Sequence, residues 1–127
     1  MFHLVALLWW VHLMRDKSGA LSHLSPTLSS GVVIGGTFAV ILASHTIQIW
    51  AVAASLVGSG ALSSLSDALY FSLVTYTTLG YGDLTLTEGF RIFGAMASVT
   101  GLLNFGISTA VLVAVLTRIL NNGSQKD

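Results

Sequence analysis

Residues 75–83 read Thr75-Tyr76-Thr77-Thr78-Leu79-Gly80-Tyr81-Gly82-Asp83, and the reading of this stretch decides the fold. Gly80 and Gly82 alternate with larger residues, and glycine enters backbone angles that are closed to other residues. Such an alternation lets the carbonyls of successive residues all face one axis, and Thr78 adds a hydroxyl at the inner end. A ring of such oxygens can replace the hydration shell of a dehydrated monovalent cation. One chain supplies only one wall, so the ring requires an oligomer.

Just upstream, Ser66-Asp67 opens the stretch Ala68 to Tyr76. A serine N-cap candidate and an acid in the first turn predict a short helix over 66–77. A helix of that length reaches about half a membrane deep. Its negative dipole end, near Thr77, would point at a cation in the cavity below. Irregular backbone at membrane depth is tolerated only when buried in protein or lining a watery cavity. A half-helix entering, followed by a Gly-rich strand returning, is therefore a re-entrant loop.

Further out, the charges thin. The chain has 127 residues, 54% hydrophobic and 8% charged, with five basic and five acidic side chains and a mean hydropathy of +0.83. Soluble domains carry about a quarter of their residues charged, so an ordinary water-soluble globule is excluded. Balanced charge offers no field for nucleic acid. Without cysteine there are no disulfides, thiolate metal sites or cysteine nucleophiles. No Asp, Glu, Lys or Arg occurs from 18 to 66 or from 92 to 117. Each stretch exceeds the roughly 20 apolar residues a spanning helix needs. Spans are predicted over 28–57, after Ser25-Pro26 and before Gly58-Ser59-Gly60, and over 90–120.

Arg15, Lys17, Arg118 and Lys126 flank the outer ends of this two-span unit, and Arg91 alone lies near its centre. The positive-inside rule then places both ends of the unit in the cytoplasm and residues 58 to 90 outside. Met1 to Met14 is apolar but too short to span. Two readings stand: an interfacial helix with Trp9 and Trp10 at headgroup level, or a shortened remnant of a third span. His3 and His12 lie on nearly opposite faces and make no metal pair. The organisation is thus an N-terminal helix and linker (1–24), a pore domain (25–120) and a polar cytoplasmic tail (121–127).

Residues 75–83 closely resemble the potassium-channel signature, T-x-T-T-V-G-Y-G-D. Ser66 to Ser72 resembles that family's pore helix, and Gly101-Leu102-Leu103-Asn104-Phe105-Gly106 its inner-helix hinge region. The resemblance covers about Leu28 to Thr117 and is to small two-transmembrane channels. It implies an all-α membrane protein: outer helix, re-entrant pore helix with selectivity-filter loop, and inner helix, assembled as a C4 homotetramer. Thr78, Leu79, Gly80, Tyr81 and Gly82 would form the filter, with K⁺ bound at Thr78 to Tyr81, and Asp83 would sit at the outer mouth. Gly101 would be a hinge, Leu102, Phe105 and Thr109 would line the cavity, and Thr117 would lie near the cytoplasmic end. The expected partners are three further copies, lipid and K⁺ as permeant ion, with no cofactor, in the cell (inner) membrane.

Two departures from the pattern matter. Leu79 replaces the commoner Val or Ile, which leaves its carbonyl unchanged but alters packing behind the filter. Val74 stands where some relatives place an acid that pairs with the Asp83-type residue, so Asp83 is expected to bond to another pore-helix or backbone donor. Gly101 also reads as a plain packing contact, and Leu102 and Phe105 as helix–helix contacts. His45 and Gln48 share a face of the first span; an interhelical hydrogen bond to Asn104 or a serine is the structural reading, and proton sensing by His45 the functional one. His23, in the linker, reads as solvated. No nucleophile–base pair marks an enzyme, and no Arg-repeat helix marks a voltage sensor. Rival functions are a weakly selective monovalent cation channel and a non-conducting assembly subunit.

Overall fold

The computed structural model describes residues 2–16, 23 and 25–124. Among these, every regular element is helical. The elements are α1 (Phe2–Asp16), α2 (Pro26–Gly58), α3 (Leu65–Tyr76), a 3₁₀ turn (Glu88–Phe90) and α4 (Arg91–Ser124). Lys17, Lys126 and most of the linker lie outside the described residues, as does the tail beyond Ser124.

Local chemistry sets the ends. The Leu28 amide donates to Ser25 Oγ at 3.4 Å, and Pro26 occupies the first helical position, where no N–H is missed. At the other end of α2, Gly60 takes φ +74°. Its amide donates to the Val57 carbonyl at 3.0 Å and the Ala61 amide to Leu56 at 3.0 Å. This is a Schellman stop with glycine in the left-handed position. Ser55 and Thr100 turn their hydroxyls back onto the preceding turn, to Ala51 and Met96, both at 2.8 Å, so these two expose no unpaired donor to an apolar surround.

Both long helices are apolar enough to cross a membrane: Thr27–Gly58 at a mean hydropathy of 1.7 and Glu88–Asn121 at 2.0. Their most apolar windows are only 22% and 11% buried within the chain. A soluble core helix would hide such a surface, so the helices are built to face lipid or other protein.

The chain forms two units. In the first, residues 1–44 and 107–127, α1 runs antiparallel to α2: His3 meets Ser44, and Trp10 meets Thr37. His3 Nδ1 lies 2.7 Å from Ser44 Oγ and its Nε2 2.8 Å from Ser108 Oγ. Trp10 Nε1 donates to Thr37 Oγ1 at 3.0 Å. The Trp10 ring covers Gly36 so closely that a Cβ there would collide with it. The second unit, 45–106, packs α3 against α2 and α4 around Ala53, Leu56, Ala68, Phe71 and Leu86.

Candidate functional site

The site grows from α3. Its N-cap is Ser64, whose Oγ accepts from the Asp67 amide at 3.4 Å. The expected cap, Ser66, instead lies inside the first turn, because the chain enters the helix two residues earlier. Asp67 stands in the first turn as expected, where the N-terminal dipole favours an acid.

The C-terminal end matters more. Thr77 caps α3, its amide donating to Leu73 at 3.1 Å. Thr78 follows at φ +60°, and among the described residues it is the one non-glycine with positive φ. Its amide donates to Thr75 at 3.0 Å, and the Leu79 amide donates to Val74 at 2.9 Å. This is the same Schellman arrangement that closes α2, with threonine where α2 has glycine. The Gly80 amide adds a third bond, also to Val74, at 3.2 Å.

Beyond Thr78, Gly80 has φ +56° and Gly82 φ +77°. Left-handed residues at 78, 80 and 82 thus alternate with Leu79 and Tyr81 at ordinary negative φ. Both glycines occupy the angles for which the sequence selects them. Residues 78–82 are all exposed on the single chain, including the large apolar Leu79 and Tyr81.

Asp83 is anchored. Tyr70, on α3, donates its hydroxyl to Asp83 Oδ2 at 2.5 Å, a donor from the short helix where Val74 has none to give. The carboxylate it bonds to holds the Tyr70 phenol above the ordinary tyrosine range.

One face of α4 grips the end of α3. Ser98 Oγ donates to the Thr75 carbonyl at 2.9 Å. Gly101 lies so close to the Tyr76 carbonyl that a Cβ would collide with it. Asn104 Nδ2 donates to the Tyr76 hydroxyl at 3.2 Å and to Gln48 Oε1 at 2.5 Å. From α2, His45 Nδ1 lies 3.0 Å from the same hydroxyl. Phe105 stacks on the His45 ring at 4.4 Å and 20°. Gln48 therefore has an interhelical partner in Asn104, and His45 one in Tyr76.

Gly101 is buried, while Leu102, Phe105 and Thr109 are exposed on α4. α4 continues unbroken through Gly101. Tyr76, Tyr70 and Ser98 were not singled out from sequence. A large hydroxylated aromatic beside the signature threonines was the available signal for Tyr76.

No solved structure matches the chain at significant similarity. Among known proteins it is 38% identical over 53 residues to the potassium voltage-gated channel subfamily A member 5 of Oryctolagus cuniculus. The same figures hold for the proteins of that name from Rattus norvegicus and Homo sapiens. The match takes in 41% of this chain and 9% of each relative. A family model described as "ion channel" matches residues 30–118, through both long helices and the loop between them, and the chain belongs to that ion-channel family.

Proposed function

We propose that the chain is the subunit of a homotetrameric, potassium-selective channel that passes K⁺ passively across the cell membrane. The observation that carries this reading is the loop at 78–82, with left-handed backbone at Thr78, Gly80 and Gly82. It follows a short helix and lies between two helices of spanning length. Residues that alternate between left-handed and ordinary φ turn successive carbonyls to one side, and four copies around an axis would close rings of oxygens. K⁺ would exchange its water for these carbonyls at Thr78, Leu79, Gly80 and Tyr81 and move by knock-on between sites. No cofactor is needed. Exposed Leu79 and Tyr81 favour assembly, since side chains of this size need cover.

In this reading α3 is re-entrant and α2 and α4 span, with their outer ends cytoplasmic by the distribution of Arg and Lys. Leu102, Phe105 and Thr109 line the cavity. The burial of His3 between Ser44 and Ser108, deep along two spanning helices, supports α1 as a shortened third helix rather than one lying at the interface.

The test is flux from liposomes holding the purified full chain, under K⁺ and then Na⁺ gradients. K⁺ flux well above Na⁺ flux is expected. Gly80→Ala should reduce it more than about tenfold, because a left-handed alanine costs roughly 1–2 kcal/mol in each chain. Equal Na⁺ flux would favour the weakly selective channel, a reading to which Leu79 lends its altered packing. A well-formed tetramer passing neither ion would overturn conduction altogether.

A further inference from the structure

The junction around the Tyr76 hydroxyl is buried, polar and distinct from the carbonyls that would meet an ion. Tyr76 is fully buried, and His45 and Asn104 are 6% and 8% exposed. Buried polar groups in an apolar chain are costly unless fully paired. Three elements contribute one member each: α2 gives His45, α3 gives Tyr76 and α4 gives Asn104. The residue they converge on is the last of α3, and the next two are Thr77 and Thr78.

We propose that Tyr76 is a positioning residue for ion passage: its hydroxyl, held between His45 and Asn104, fixes the inner end of the 78–82 loop. This inference rests on the channel reading for its functional consequence, though not for its structural one. A phenol has one proton to give and two lone pairs to accept with. Asn104 Nδ2 donates to it; with neutral His45 in the tautomer that leaves Nδ1 without hydrogen, the phenol proton goes to that nitrogen, 3.0 Å away. A doubly protonated His45 would carry hydrogen on both ring nitrogens. The Tyr76 oxygen would then face two donors, and its own proton would have no acceptor within the junction. Restoring the count requires the Asn104 and Gln48 amides to turn over together, so that Asn104 presents Oδ1 to Tyr76.

No formal charge compensates such a change. Facing His45 are Tyr76 from α3 and Phe105 from α4; Asn104 meets it through the shared Tyr76 hydroxyl, and Gln48 lies one turn along on α2. The chain has no Asp, Glu, Lys or Arg from 18 to 66 or from 92 to 117, and Asp67 is at the opposite end of α3. Of these neighbours only Tyr76 titrates, and only at alkaline pH. Acid therefore acts on the junction through His45.

The experiment has two readouts on the full chain in liposomes. The first is amide hydrogen exchange at Thr78, Leu79 and Gly80, whose N–H groups bond to Thr75 and Val74. Tyr76→Phe keeps the ring and removes the hydroxyl, and should speed exchange there about tenfold while the middle of α2 keeps its rate. Unchanged exchange overturns the positioning role whether or not the chain conducts. The second readout is K⁺ and Na⁺ flux from about pH 8 to about pH 5, the range in which histidine changes charge. Tyr76→Phe should lower the K⁺/Na⁺ ratio about tenfold. Wild-type K⁺ flux should fall severalfold on acidification, and His45→Gln, whose amide cannot gain a proton in this range, should flatten that profile. An acid response equal in His45→Gln and wild type overturns the role of His45. Accelerated exchange in Tyr76→Phe together with no wild-type flux would support the junction and overturn the channel reading instead.

Discussion

Two left-handed residues do the same task in this chain with different side chains. Gly60 ends α2 at φ +74° and Thr78 ends α3 at φ +60°, each with the paired amide bonds of a Schellman stop. For glycine the angle is free; for a β-branched residue it is an outlier, at about 1–3 kcal/mol. The strain is met by the three amides that tie 78–80 to α3. At the other end of the loop, Tyr70 holds Asp83. That bond needs the phenol proton, and the bond raises the Tyr70 pKa. A group raised in the folded state lends stability that is complete below its ordinary value, about 10, and is lost as pH climbs through the raised one. Tyrosinate absorbance of Tyr70→Phe against wild type should thus lose a component titrating above pH 10. If the lost component titrates at or below 10, Tyr70 is not clamped.

At the level of elements, the two long apolar helices, the short helix and the Gly-rich loop were legible because each has a local cause. Charge-free stretches mark α2 and α4, an acid beside a serine marks the start of α3, and alternating glycines mark 78–82. The cap shifted from Ser66 to Ser64 because neighbouring serines offer equal hydroxyls, and only the path of the turn before them chooses. The stop at Thr78 was hidden since the usual signal there is glycine. The partners of Tyr76 were hidden for a different reason: they lie 31 and 28 positions away, and no local pattern encodes a contact of that range. Gly101 admitted both hinge and packing readings. The collision that a Cβ would make with the Tyr76 carbonyl gives packing a measurable consequence. Gly101→Ala should destabilise the protein by about 1–3 kcal/mol, the usual cost of overpacking, seen as a lower thermal midpoint. Gly106→Ala, with open space around it, should not. A Gly101→Ala protein of unchanged midpoint but altered gating would return the position to a hinge.

For the whole molecule, the decisive quantity is the apolar surface that one chain leaves uncovered. Ile92, Met96, Leu102 and Leu103 on α4 are each more than half exposed, and so are Leu79 and Tyr81. Lipid can cover a helix, but it cannot cover Gly-rich backbone. A fourfold assembly would cover both; in that reading amine-free cross-linking of the detergent-solubilised protein, through cysteines placed near residue 103, should build a ladder that stops at four. A ladder stopping at two would contradict the C4 arrangement. The bonds from 78–80 to Val74 and Thr75 also bear on time. Because the first half of the loop is tied to the last turn of α3 by three amide bonds, displacing it means breaking those bonds or carrying the end of the helix with it. Side chains and free loops flicker in picoseconds to nanoseconds, whereas packed helices shift in microseconds to milliseconds. Any opening and closing seated at this loop is therefore slower than the flicker of a free one.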